Sequence, residues 1–489
     1  MGGRISLTYS DGAKESAGQE LSSAGTPVAD RKGQLGWILF SGARDFYGII
    51  CTVYIFAPYV ANTVVGDPVR GQVLWGYVSG ISGLMVALLG PCLGAIADVA
   101  GRRKPWIAVF LATMVPSLFV LWWSLPNDGG IGIWATIALF TWLAAAYYFT
   151  DVFYGAMLPS LAGNDRLGLL SGYAVVFSQF SALIGLLVLF FCFMLPGQVD
   201  WSFVPSQPLF GLDAASYETS RISAPVGGLW LLLFSLPLFM FTPDTPRNKS
   251  VTIPQAVTSG LKRVVQTARQ LRHYRNVATF LLTRMFFADG QLGIMTFGAI
   301  YAVGTFKWEP LTLTAYGVLM TLFSISGGFI GGWLDKGLGS KRTIIVAVAV
   351  TSLGLMLALS ITPSSIFFFF HYPPDAIPTS YLPFFKTLPE LIYLLIILIL
   401  VIFNTAAYVS SRAMLARIAP LGKMGEFFGL FALSGTATAF LGPVLVGFAT
   451  YWSGSQRVGM AALLLLLGIG FAGMFLVREE RATEVPSSQ

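Results

Sequence analysis

Gly94-Ala95-Ile96-Ala97-Asp98-Val99-Ala100-Gly101-Arg102-Arg103-Lys104 is the stretch that decides how this chain is read. Apolar runs long enough to cross a hydrocarbon layer of about 30 Å flank it on both sides. Its glycines let a neighbouring helix approach closely, and Asp98 stands where a helix ends, able to pair with basic or helix-terminal groups. Arg102, Arg103 and Lys104 then anchor the loop on the cytoplasmic side. The arrangement returns as Gly332-Trp333-Leu334-Asp335-Lys336-Gly337-Leu338-Gly339-Ser340-Lys341-Arg342. An ordinary basic loop accounts for one such stretch; a second, again between the second and third apolar runs of its half, points to a duplicated chain.

The rest of the sequence agrees. Of 489 residues, 55% are hydrophobic and only 11% charged, with a mean hydropathy of +0.71. A soluble chain needs about a quarter of its residues charged. Backbone groups in lipid must bond within their own segment, so long apolar runs are helices, and their lack of alternation excludes an outer-membrane barrel. The net charge of +7 is what basic cytoplasmic loops produce and calls for no nucleic-acid partner. Cys51, Cys92 and Cys192 all lie in apolar runs and give neither a metal spacing nor a disulfide framework.

Twelve spans are expected, from 36–61 to 457–477, the eleventh at 426–451. They fall into a disordered cytoplasmic tail (1–35), a first six-helix bundle (36–242), a basic cytoplasmic linker (243–275), a second bundle (276–478) and a cytoplasmic tail (479–489). With the N-terminus inside, about 23 of the 30 Lys and Arg lie on the cytoplasmic side, as the positive-inside rule requires. The halves echo one another: Ala156-Met157-Leu158 recurs as Ala413-Met414-Leu415, and Arg44 and Asp98 pair with Arg284 and Asp335. The fold class is therefore an all-α integral membrane protein of two pseudo-symmetric six-helix bundles, a plan that places a binding site at the bundle interface near mid-membrane.

The doubled loop resembles the signature of the major facilitator superfamily. Gly36-Trp37, the run Gly101 to Trp106, Asp151-Val152-Phe153-Tyr154, Ser411-Arg412 and Gly425-Glu426-Phe427-Phe428-Gly429 through Gly435 carry a narrower likeness. Together they resemble the vacuole effluxer-like family, the fungal vacuolar amino-acid exporters and their bacterial relatives, over residues 36 to about 475. One departure is Thr436, where the resemblance leads one to expect lysine. It implies alternating access, efflux of small solutes, and a cavity lined by the first, fourth, seventh and tenth helices.

Ionisable residues inside spans are costly and are functional candidates by default. Asp45, Asp151 and Asp289 are the candidate proton carriers, since burial disfavours a carboxylate's charged form. Arg44 and Arg284 suit either a bidentate clamp on a substrate carboxylate or internal ion pairs with those aspartates. Tyr147, Asp151 and Tyr154 share one face of the fourth span, and Asn404, Tyr408 and Ser411 one face of the tenth. These stripes line a polar cavity or serve as interhelical hydrogen-bond glue. Gly94, Asp98, Gly101, Arg102, Arg103, Asp335, Lys341 and Arg342 form the conformational loop motif; Arg412 and Glu426 are a cytoplasmic gate or solvated loop charges. Gly90, Gly94, Gly328, Gly332 and Gly442 are expected to serve close packing and kinks.

No phosphate-binding loop is present, which excludes an ATP-driven pump. Gly468 to Gly473 matches a dinucleotide fingerprint in letters only, inside an apolar span. His273 and His371 sit in the linker and an outer loop, so no metal centre, cofactor or catalytic residue is expected. The expected function is proton-coupled efflux of a small solute such as an amino acid, with solute, protons and bilayer as partners. The rivals are import of a small organic acid or peptide-like solute, a non-transporting receptor, and a lipid-modifying enzyme. With no signal peptide and short loops, a bacterial inner membrane with both termini cytoplasmic is the expected location.

Overall fold

The computed structural model describes residues 27–99, 102–126, 128–163, 166–244, 273–373, 382–419 and 438–480 together with isolated residues between them, omitting the side chains of 95, 98, 99, 167 and 168. Apolar sequence with no water to bond its backbone can only coil, and it does so in long helices. In the first half these are α1 (Arg31–Val64), α2 (Pro68–Val99), α3 (Lys104–Val120), α4 (Gly132–Met157), α5 (Leu167–Leu189) and α6 (Ser223–Phe241). In the second they are α7 (Arg275–Phe306), α8 (Pro310–Leu338), α9 (Ser340–Leu359), α10 (Leu388–Ile418), α11 (Leu441–Ser453) and α12 (Gln456–Leu476). All but α11 are long and apolar enough to span a membrane as described; the expected eleventh span also includes residues outside the described set.

Local signals set the ends. α1 starts at Arg31 rather than 36 because Asp30 caps it, its Oδ1 accepting from Gly33 N–H at 2.7 Å. α10 begins with a capping box in which Thr387 and Glu390 satisfy each other's backbone N–H groups. Just past Arg44 and Asp45, α1 widens into a π-helical stretch, Tyr47–Tyr54, and bends at Ile55, the kind of irregularity that accompanies functional positions.

The two halves pack by the same scheme. α1 lies against α6 as α7 lies against α12, and α2 against α4 as α8 against α10. Across the seam α2 meets α11 and α5 meets α8. At the end opposite the loop motifs the seam is shut: Tyr54 meets Tyr316 edge-on at 6.0 Å, Phe190 meets Phe384 at 6.1 Å, and Gln72 reaches Thr450. At the motif end no hydrogen bond, ion pair or ring contact joins the halves among the described residues. Among the described residues such contacts join the halves at one end and not at the other.

Glycine makes the closed seam possible. A Cβ on Gly76 would lie 2.8 Å from Gly447 Cα, and one on Gly447 would lie 3.3 Å from Gly76 Cα, so the backbones touch. Gly447→Leu is accordingly expected to hold this end apart and stop solute exchange, while the protein still elutes as a folded species on size exclusion. The expectation for Gly328 and Gly332 is corrected: nothing lies within 4 Å of a Cβ at either, whereas Gly327 and Gly331, one position earlier, pack directly on α10. Gly90 and Gly94 meet only ordinary contacts at 4.0 and 3.9 Å, while Gly442 does pack tightly, on Asp289 O at 2.8 Å.

Candidate functional site

Two buried arginines face two different environments. Arg44 lies thirteen residues into α1 and Arg284 nine into α7, about 20 and 14 Å from the helix starts at 1.5 Å per residue, so both lie within spanning helices. Each is almost wholly enclosed, at 8% and 6% exposure. A guanidinium at that depth needs acceptors.

Arg44 has them in excess. Its Nε donates to Asp45 Oδ1 at 3.1 Å, its Nη2 lies 3.0 Å from the same oxygen, and its Nη1 pairs with Asp151 Oδ1. Asp45 also accepts from Tyr147 OH at 2.7 Å and from Ser178 Oγ. The guanidinium lies 4.8 Å from the Tyr147 ring centre and 5.4 Å from that of Tyr154. Gly48 permits this approach, because a Cβ there would sit 3.0 Å from the Tyr147 ring. Two carboxylates thus share one cation, and Asp151 is the accessible one, its side chain 49% exposed against 18% for Asp45.

The sequence reading is sharpened accordingly. Asp151 is not a lone acid, and Arg44 spends its donors on protein carboxylates rather than offering an empty clamp. Tyr154 is a wall, not a free ligand: it is 6% exposed and stacked on Trp37 at 4.5 Å. Ser178, between the α5 contacts of Ala174 with Ser41 and Ser181 with Gly42, belongs to the cluster; as a neutral hydroxyl in an apolar run it left no signal.

Among the described residues Arg284 forms no ion pair with a carboxylate, though Asp289 lies within electrostatic reach. Its Nη1 donates to Phe431 O at 3.2 Å and Ser434 Oγ at 3.1 Å, and the Phe431 ring covers it at 3.6 Å. No ion pair joins it to Asp289, which is 2% exposed and has an Oδ2 without a hydrogen-bond partner. Nε and Nη2 of Arg284 find no acceptor among the described residues. The duplication explains why. The shift that aligns the two arginines sets Met285 where Asp45 stands, and the shift that aligns the fourth and tenth helices sets Tyr408 opposite Asp151, Asn404 opposite Tyr147 and Gly435 opposite Ser178. None of these aligned positions supplies Arg284 with a carboxylate. Tyr408, 50% exposed, and Arg412, also exposed, lie within electrostatic reach of it, whereas Asn404 is half-buried with no bond of its own.

The motif residues divide. In the second copy, Asp335 accepts from Arg417 Nη2 at 2.6 Å, Arg417 Nη1 reaches Glu479 Oε1 at 2.7 Å, and Glu479 accepts from Ser340 N–H at 3.1 Å. This ties the motif ends of α8, α9 and α10 to the chain after α12. Lys341 Nζ donates to Phe475 O at 3.3 Å, and Arg342 is exposed. In the first copy Asp244, just past α6, accepts from Arg103 N–H at 2.9 Å and Lys104 N–H at 3.3 Å, capping α3 from outside; Arg102 is exposed. Gly101, Glu426, Thr436 and the Asp98 side chain lie outside the described residues. Asp335→Asn is expected to lower thermal stability by about 1 kcal/mol, since Arg417 is 42% exposed and water takes up much of its charge; thermal unfolding in detergent measures it.

Known proteins share the family and the fold. The family model described as "Vacuole effluxer Atg22 like" matches residues 62–485. An MFS-type transporter of Bacillus subtilis (strain 168), YxiO, is 25% identical over 471 residues, covering 94% of this chain and 97% of that protein. Autophagy-related protein 22 of Yarrowia lipolytica is 25% identical over 284 residues, 53% of this chain but 44% of that protein. Among solved structures, a D-xylose–proton symporter has a TM-score of 0.61 at 13% identity, covering 91% of this chain and 95% of that one. A bacterial homologue of the human lysosomal transporter Spinster, in an inward-facing occupied conformation, has 0.60 at 13%, covering 91% and 96%. With long apolar helices in two echoing bundles and buried charged residues within them, this multi-pass membrane transporter, not an enzyme, belongs to the vacuole effluxer Atg22-like family of the major facilitator superfamily.

Proposed function

We propose that the protein is a proton-coupled carrier that exports a small carboxylate-bearing solute, an amino acid among the candidates, by alternating access. The observation that carries this is the asymmetry of the two arginines: among the described residues Arg44 is ion-paired with two carboxylates and Arg284 with none. A substrate carboxylate supplies at Arg284 what Asp151 supplies at Arg44, through the planar fork that suits a two-point contact. Tyr408 and Asn404 contact the rest of the solute. The Arg44–Asp45–Asp151 cluster carries the proton, taken up at Asp151, the member open to the cleft; buried Asp289 is a second coupling residue.

In this reading 36–242 and 276–478 are the rocking bodies, 243–275 their cytoplasmic connection, and Arg412 with Glu426 the gate of the cleft. Both termini and the cleft face the cytoplasm of a bacterial cell, because the basic loops cluster at the motif end. A proton-rich exterior then drives export by exchange. The test is solute flux in proteoliposomes with and without an imposed pH gradient, across amino acids and small acids, with Asp151→Asn alongside. Gradient-driven accumulation lost in the variant supports the reading; accumulation that is equal in both contradicts the assignment of Asp151.

A further inference from the structure

The closed end holds a polar cluster that the substrate and coupling site does not use. Gln72 on α2 is fully enclosed at 0% exposure. Its Nε2 donates to Thr450 Oγ1 at 2.8 Å and to Gln456 O at 3.0 Å, both in the other half. Gln456 answers: its Nε2 donates to Pro68 O, at the start of α2, at 2.8 Å. Thr450 is also at 0% exposure, and its own hydroxyl donates to Val446 O at 2.7 Å. Of the side-chain hydrogen bonds that join the halves among the described residues, these three are the short ones; the other, Asn62 Nδ2 to Ile300 O, is 3.5 Å.

The chemistry fixes the orientation of Gln72. Both partners need a donor, since Thr450 has already given its hydrogen to Val446 and Gln456 offers a carbonyl. Rotating the amide by half a turn would set Oε1 against two acceptors. Its Oε1 meanwhile has no partner, a cost accepted for the two bonds across the seam. Beside the cluster lies a vestibule of about 470 Å³, lined by Asp67, Pro68, Tyr301, Lys307, Gln456 and Arg457. Parting the halves here would open Gln72 to that vestibule, which Gln456 already lines, and water would replace all three bonds.

We propose that Gln72, Thr450 and Gln456 form a reciprocal hydrogen-bond latch that positions the two halves for transport by holding this end shut. The bonds exist in one state alone, so they bias the equilibrium between the two access states. Gln72 is the positioning residue: it acts on Thr450 and Gln456 and touches no substrate. Removing its donors shifts the ratio of states toward opening at this end by about tenfold, the effect of losing two modest hydrogen bonds.

Pulsed electron–electron resonance between spin labels tests this without a substrate. Labels at Arg70→Cys and Ser453→Cys report the closed end, and Arg166→Cys with Lys336→Cys the motif end, in full-length protein with Cys51, Cys92 and Cys192 replaced by serine. The unmodified latch should give a short, narrow distance at the closed end. Gln72→Glu keeps the shape and loses both donors, so at pH 8 a longer distance should appear there while the motif-end distance shortens. At pH 5 the introduced carboxyl regains one donor, and the short distance should recover in Gln72→Glu but not in Gln72→Ala. The native latch is run at both pH values, because Asp67, Lys307 and Arg457 border it. Thr450→Val, which keeps the volume and removes one acceptor, should shift the distances in the same direction and serves if the glutamate variant fails to fold. Unchanged closed-end distances in Gln72→Ala and Thr450→Val, or a Gln72→Glu shift that ignores pH, would overturn the proposal.

Discussion

Arg284→Gln should lower kcat/KM for a carboxylate-bearing solute by about 100-fold or more while leaving the protein as stable as before. Two charge-assisted bonds to a substrate carboxylate are lost, each worth about 1.5–3 kcal/mol. Stability holds because among the described residues the native guanidinium has no carboxylate hydrogen bond to abandon: its acceptors are Phe431 O and Ser434 Oγ, which a glutamine amide can also serve. Removing a buried cation relieves a desolvation cost as well. Arg284→Lys keeps the charge but not the planar fork, so it should recover only a small part of the activity. The loss should fall mainly on KM if the contact is equal in the bound and moving states, and on kcat if it tightens during occlusion. Flux assays across matched amines, acids and zwitterions measure the effect; equal loss for solutes with and without a carboxylate would show that Arg284 acts on the fold instead.

Arg44→Gln should do the reverse, costing about 3–5 kcal/mol of stability, because it leaves the carboxylates of Asp45 and Asp151 in a poorly hydrated site without their cation. Asp151→Asn in the same chain should return part of that loss, though less than half, because the Asp151 side chain is 49% exposed and Asp45 is the more enclosed partner. The expected non-additivity is on the order of 1–2 kcal/mol, and a thermal-unfolding double-mutant cycle in detergent reads it. Additive losses would mean that the pair does not interact. Two arginines at equivalent positions should thus fail in opposite ways, one by unfolding and the other by losing its solute.

Much of this could be read from the chain before any coordinates. Apolar runs dictate helices wherever water is absent, so span number and the doubled motif followed directly from residues such as Asp98 and Asp335. Ends were less legible, since hydropathy began the first span at 36 while capping by Asp30 began the helix at Arg31. Arg44, Asp45, Asp151, Arg284 and Asp289 stood out because charge inside a span is rare. Their pairing did not, because Arg44 and Asp151 are 107 positions apart and meet only when α1 packs on α4. The glycines show how fine the margin is: one position separates Gly328 from Gly327, a rotation of about 100° that exchanges open space for a packed backbone. Gln72 and Gln456 were invisible because neutral amides near span ends look like ordinary loop boundaries; only their juxtaposition gives them a role.

The measurement closest to the central claim is proton movement on addition of a solute. Proteoliposomes with a trapped pH indicator and no imposed gradient would receive each candidate solute, with native protein, Asp151→Asn and Arg284→Gln in parallel. The account predicts a solute-dependent pH change in the native protein for carboxylate-bearing solutes alone. In Arg284→Gln both the solute and the proton signals should vanish, and in Asp151→Asn solute should exchange down its own gradient without the pH change. Solute entry with no proton movement in the native protein would contradict proton coupling, and proton movement undiminished in Asp151→Asn would contradict the assignment of the proton to the Arg44 cluster.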